Sequence, residues 1–261
     1  MARRRGGWIP QQHGAWAMLV VPYLVGLLLR VRDGVSWELF LLPLAFFWLI
    51  GYFTFNAASG WLKAAPARRG EYHRALVVYA LITVALGLAT LALADKRIVG
   101  WAPVFGVLIV PAFALAAQRR ERATIGGALT TLAASVLTVV VRFPDPGGLL
   151  AWTPQVRFTV ATAALVFAYF FGTVLYVKTN IRERGSRAFY AASVGWHALV
   201  AAGAGVLATR GAASSWWAAL FILLTARAAA VPRLRRPATP RQIGLAEVVF
   251  CAAILLIVAF A

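Results

Sequence analysis

Apolar runs of roughly 20 residues recur nine times along the chain, and almost all the charge sits in the short connections between them. The runs cover approximately 11–29, 38–60, 75–94, 99–117, 123–141, 158–177, 188–209, 212–231 and 243–261. Each has about the length that an α-helix needs to cross a hydrocarbon core some 30 Å thick. The runs are rich in Leu, Ala and Val, and most carry no charge. In lipid, a run this long satisfies its own backbone groups only as a helix. The longest break, around Arg142-Phe-Pro-Asp-Pro-Gly-Gly148, is marked as a loop by its Pro and Gly residues. The pattern predicts an all-α fold: a polytopic membrane helix bundle of about nine transmembrane helices, forming one integral membrane domain over residues 1–261. Helices one to four and five to eight form two positionally similar halves, with a ninth added.

Composition strengthens this reading. The chain is 62% hydrophobic, against about 45–50% in soluble domains, and its mean hydropathy is +0.78. The formal charge of +18 would ordinarily suggest nucleic acid. Here the basic residues sit in short clusters between apolar runs, a topological pattern that argues against a nucleic-acid partner. With nine spans, eighteen Lys and Arg residues fall on the side of the N-terminus, seven fall on the other side, and Arg227 lies within a span. The bias repeats at every connection and predicts a cytoplasmic N-terminus in a bacterial-type cell (inner or plasma) membrane. The acids divide too. Glu71, Glu121, Glu183 and Glu247 fall on the cytoplasmic half, and Asp33, Glu38, Asp95 and Asp145 on the other. The basic opening is like a signal-peptide n-region, but no small-x-small cleavage site follows, so the first span is expected to stay. Cys251 is the single cysteine, which excludes an intrachain disulfide and any Cys-based cluster.

Two polar stretches between spans stand out. Asn56-Ala-Ala-Ser-Gly-Trp-Leu-Lys63 closes the second span, and Tyr176-Val-Lys-Thr-Asn-Ile-Arg-Glu-Arg184 closes the sixth. Helical spacing places Asn56, Gly60 and Lys63 on one face. Lys178 and Arg182 are four apart and share a face if the helix continues. His73 and Arg74 follow the first stretch, and Glu183 lies within the second. Gln12 and His13 sit at the mouth of the first span, where free N–H groups favour anions. Lysine and arginine clusters of this kind suit a phosphate or pyrophosphate. The expected substrate-binding residues are therefore His13, Asn56, Lys63, His73, Arg74, Lys178, Arg182 and Glu183. The three histidines, His13, His73 and His197, do not have ligand spacing on any one helix, so no metal site is assigned. No catalytic residue is assigned either, although His13 and His73 are the candidate proton carriers.

The opening Trp8-x-Pro-x-x-His-Gly-Ala-Trp-Ala-Met18, Asn56, Tyr72-His73-Arg74 and the Lys178-Thr-x-Ile-Arg182-Glu-Arg184 stretch together resemble the YwiC-like family of bacterial membrane proteins. More distantly, the layout resembles UbiA-type intramembrane prenyltransferases. That second resemblance implies a UbiA-like arrangement of nine helices around a lipid-accessible cavity, with polar motifs at the cytoplasmic ends of helices two and six. It also implies magnesium held by aspartates. This chain has Gly60 and Trp61 after Asn56, and Lys178, Arg182 and Glu183 where carboxylates would be expected, so the classical magnesium–aspartate site looks absent. The expected partners are membrane lipids and an isoprenoid or phosphate-bearing ligand, bound through a basic pocket on the cytoplasmic side and with no cofactor assigned. A transporter or binding protein for an anionic metabolite, and a non-catalytic membrane partner, are the alternative classes.

Overall fold

The computed structural model describes residues 7–10, 15–120 and 123–260. Nine α-helices follow one another within them: α1 (Ala15–Arg32), α2 (Leu41–Lys63), α3 (Gly70–Leu93), α4 (Ala102–Ala117), α5 (Thr124–Arg142), α6 (Pro154–Ile181), α7 (Arg187–Thr209), α8 (Ser215–Ala230) and α9 (Pro240–Phe260). Short 3-10 turns precede α3, α4 and α6 and follow α8. Eight of these helical segments are long and apolar enough to cross a membrane. The described part of α1, which ends in Arg30 and Arg32, is not among them. The chain is a multi-pass helical membrane protein, as the hydrophobic pattern predicts.

Local chemistry sets the helix ends. Thr153 caps α6 by accepting from Val156 N, and Pro154 occupies the first turn, where a missing N–H costs nothing. Ser186 and Ser214 cap α7 and α8 in the same way. At α9, Thr239 and Gln242 form a reciprocal capping box: Thr239 N donates to Gln242 Oε1 (2.9 Å) and Gln242 N donates to Thr239 Oγ1 (3.3 Å).

Helices α5 and α6 form the centre, with 56% and 61% of their spanning windows buried, against 6% for α3. Helix α6 has 28 residues and so extends about 42 Å. It overruns the hydrocarbon core, and its last turns carry polar residues beyond the apolar run that ends near residue 177. Helix α1 crosses α5 closely, because Gly26 lies against Val141 and the carbonyl of Thr138, and the Thr138 hydroxyl donates to Pro22 O at 2.8 Å. Helix α3 packs on α2 and otherwise presents Leu81, Val84 and Leu88 outward, as a lipid-facing helix should.

The face opposite the basic connections is stitched by ion pairs between elements. Arg30, 2% exposed, donates to Val141 O (3.1 Å), Ser36 O (2.8 Å) and Glu38 (2.5 Å). Arg142 pairs with Asp33 at 2.7 Å, and Arg97 pairs with Asp145 at 3.2 Å.

Candidate functional site

The end of α6 folds back on itself to build a cavity. Arg182 N and Glu183 N both donate to Lys178 O (3.0 and 2.8 Å), which closes the helix. Gly185 takes φ +84°, a conformation that a side chain would strain, and the chain turns directly into the Ser186 cap of α7. The Thr179 hydroxyl donates to Leu175 O and Phe189 O (2.9 and 3.1 Å), binding α6 to α7. The Tyr190 hydroxyl donates to Ala229 O at 3.1 Å, binding α7 to α8. Between these ties lies a cavity of about 200 Å³, lined by Thr179, Asn180, Arg184, Ser186, Arg187, Tyr190 and Arg233. Asn180 is buried and spends its amide N–H on Tyr176 O (2.8 Å). Arg233 lies over the Tyr190 ring at 4.9 Å. None of Arg184, Arg187 and Arg233 forms an ion pair with a described residue. Arg184, Arg187 and Arg233, all exposed, therefore line one small pocket together with the start of α7, and arginines gathered at a helix start suit an oxyanion.

One turn deeper lies a buried charge pair. Arg227 Nη1 donates to Glu247 Oε1 at 2.6 Å, and Glu247 Oε2 accepts from the Tyr169 hydroxyl (2.6 Å) and the Thr173 hydroxyl (2.9 Å). The guanidinium is sandwiched between the rings of Tyr176 (4.0 Å) and Phe250 (4.6 Å). Arg227 Nε and Nη2 are buried without a partner. Leaving a buried donor unsatisfied costs about 1–3 kcal/mol, and more for a charged group. On α7, His197 is fully buried. Its Nδ1 donates to Ser193 O at 2.7 Å, and its Nε2 rests against Gly172, the one residue there without a Cβ to block it.

The residues expected from sequence divide into two groups. Lys178, Arg182 and Glu183 lie beside the cavity and do not line it. Lys178 Nζ donates to Thr124 Oγ1 at the start of α5 (2.9 Å) and lies 5.6 Å from the Phe189 ring centre. Asn56, Lys63, His73 and Arg74 belong to the α2–α3 pair. Asn56 is half-buried and makes no side-chain hydrogen bond among the described residues, and His73 and Arg74 are exposed. The space at Gly60 is taken by the Tyr72 ring, which also touches Gly7. Arg68 hydrogen-bonds Glu71, and this bond raises its pKa. The α4–α5 turn stands between the two groups: Arg119 donates to Lys63 O (3.0 Å) on one side, and Thr124 receives Lys178 on the other. His13 lies outside the described residues. Among those residues, no group of three His, Cys, Asp or Glu is placed to hold a metal.

Tyr190 and Arg233 were not singled out from sequence as site residues. The pairing of Arg227, near the end of α8, with Glu247, in the first turns of α9, is expected from sequence, because a Glu and an Arg placed within apolar spans are expensive in lipid unless they meet, and the structure pairs them.

Residues 9–142, which include α1 to α5, match the family model described as YwiC-like protein. The cavity lies in the remaining part of the chain. No solved structure matches. The chain is 30% identical over 197 residues, 74% of each sequence, to the protein named "Uncharacterized protein YwiC" of Bacillus subtilis (strain 168). By the family model and by this relative, the chain belongs to the YwiC-like family.

Proposed function

We propose that this is a protein of the cell (plasma) membrane, with its N-terminus in the cytoplasm, that binds the phosphate headgroup of a membrane lipid in the cavity between α6, α7 and α8. The observation that carries the reading is the set of three arginines without ion pairs, Arg184, Arg187 and Arg233, around a 200 Å³ space at the end of a lipid-embedded bundle. A phosphate monoester offers oxygens that several guanidinium groups can share. The cavity opens on the side holding eighteen of the basic residues, the side that topology rules place in the cytoplasm. Lys178, Arg182 and Glu183 flank it as a charged rim. Asn56, Lys63, His73 and Arg74, across the α4–α5 turn, extend the same basic surface. Both an isoprenyl phosphate, the chemistry of UbiA-type ligands, and a phosphatidic acid meet these requirements.

Native mass spectrometry in mild detergent tests the proposal, with phosphatidic acid, polyprenyl phosphate and uncharged diacylglycerol as probes. The two phosphate lipids should bind well above diacylglycerol. Arg184→Ala or Arg233→Ala should each weaken them about tenfold or more, the worth of a charge-assisted hydrogen bond. Equal binding to the wild type and to an Arg184→Ala/Arg187→Ala/Arg233→Ala variant would overturn it.

A further inference from the structure

The cavity between α6, α7 and α8 has two chemically different walls. Arg184, Arg187 and Arg233 line it together with the start of α7. The other wall is the last turn of α6, through Thr179 and Asn180. The carbonyls that end a helix carry negative partial charge, so this wall favours hydrogen-bond donors. The Thr179 hydroxyl is spent on Leu175 O and Phe189 O. Asn180 is 9% exposed, and its amide N–H donates to Tyr176 O at 2.8 Å. Only the nitrogen end of an amide can donate to a carbonyl, so the orientation of the group is fixed. Asn180 Oδ1 is left without a donor among the described residues. Unlike Ser59 Oγ and Thr162 Oγ1, it is not sealed off, and it belongs to a residue that lines the cavity. Buried polar side chains are almost always hydrogen-bonded, so this oxygen marks the place of a donor.

Charge decides what kind of donor. A phosphate monoester loses its second proton at about pH 6, and guanidinium groups beside it favour the fully ionised form. Bound among the arginines, the phosphate itself therefore offers acceptors and no proton. An ammonium donor would join three arginines with no carboxylate among the lining residues, and like charges repel. A hydroxyl satisfies the amide oxygen without either penalty.

We infer that Asn180 selects a ligand whose head group carries a hydroxyl next to its phosphate, the chemistry of a glycerol or other polyol phosphodiester. The phosphate meets the arginines, and the hydroxyl donates to Asn180 Oδ1. Isoprenyl phosphate and phosphatidic acid satisfy the arginines and leave the amide oxygen without a donor. This inference rests on the cavity reading proposed above.

The test compares, by native mass spectrometry in mild detergent, phosphatidylglycerol with phosphatidyl-n-propanol of the same acyl chains. The two lipids have the same charge and differ only in the head-group hydroxyls. Wild type should prefer phosphatidylglycerol about fivefold, the worth of one uncharged hydrogen bond. Asn180→Leu, close to Asn in size, and Asn180→Ala should each abolish the preference and leave the binding of phosphatidyl-n-propanol unchanged. If both variants lose both lipids, Asn180 only holds the end of α6 and the inference is overturned. Equal binding of the two lipids by wild type, or a preference that survives in both variants, also overturns it. The phosphate site still stands in those cases if Arg184→Ala/Arg187→Ala/Arg233→Ala weakens binding. If neither lipid binds wild type, the cavity reading and this inference fall together. An Asn180-dependent preference that the triple arginine variant leaves intact, with no loss of affinity, upholds the hydroxyl contact and overturns the phosphate reading.

Discussion

Replacing Glu247 by alanine should be among the most damaging single changes in this protein. The carboxylate receives three donors, from Arg227, Tyr169 and Thr173, and so joins α6, α8 and α9 at one point. Its side chain is 14% exposed and that of its partner Arg227 is 9% exposed. Breaking a buried pair from one side leaves the other charge uncompensated, at about 3–5 kcal/mol. In a chain of this size that corresponds to a fall in Tm of very roughly 6–20 °C. Glu247→Gln keeps the shape and an acceptor for the two hydroxyls, and should cost less. The double variant Arg227→Met/Glu247→Leu should recover most of the loss, because no lone charge remains. The assay is thermal unfolding in detergent, followed by loss of the monodisperse peak in size-exclusion chromatography. A double-mutant cycle should return a coupling of about 2 kcal/mol or more between the two positions. If Glu247→Ala melted within a degree of wild type, the carboxylate would not be holding these helices, and the reasoning about the pair would be wrong.

Two further outcomes follow from close contacts and from exposure. Gly26→Ala should destabilise by about 1–3 kcal/mol despite the better helix propensity of alanine. Its Cβ would come within 2.7 Å of Val141 Cβ and 2.9 Å of the fixed Thr138 carbonyl, and thermal unfolding of the variant checks this. Orientation can be read by thiol labelling. Cys251, the native cysteine, is buried and should contribute little background. A membrane-impermeant maleimide on intact cells should label Arg210→Cys but not Arg68→Cys, and labelling in the reverse order would invert the topology.

Much of the architecture was legible because lipid makes the rules strict. Runs of about 20 apolar residues had to be helices, and the predicted boundaries fall within a few residues of the observed ones. The largest miss is α6. Its apolar run suggested 158–177, whereas the helix spans Pro154–Ile181. The added turns are polar because they leave the hydrocarbon, and hydropathy reads such residues as loop. The same limit applies to the site. The Lys178–Arg187 stretch was visible as a charge cluster, but charge does not tell which side chains turn inward. Lys178, four residues before Arg182, turns to Thr124, while Arg184 and Arg187 line the cavity. Arg233 reaches the same space from the 3-10 turn after α8 (Val231–Arg233), nearly fifty residues later. Only the packing of α7 on α8, through Tyr190 and Ala229, brings it there.

The distribution of acids bears on where the proposed anion site lies. On the opposite face all four acids are committed: Glu38, Asp33 and Asp145 pair with arginines from other elements, and Asp95 caps the turn before α4. Those pairs fix the ends of α1, α5 and their loops, and the basic residues there without an ion pair to a described residue, Arg32, Lys96, Arg157 and Arg210, lie at four separate helix ends and line no common pocket with one another. On the basic face, Glu71 pairs with Arg68 three residues away, and Glu247 is withdrawn into the bundle to hold Arg227. Glu183 lies beside the α6–α7–α8 cavity and forms no ion pair with its arginines, and Glu121 lies outside the described residues. An excess of basic residues is expected there for topology alone, but topology does not require them to converge. Here Arg184, Arg187 and Arg233 converge on one space from two separate connections, and a capped helix start and a buried Asn180 complete its walls. Like charges gathered in this way repel one another unless something negative joins them. It is on this arrangement, and not on the net charge of the face, that the proposed binding site rests.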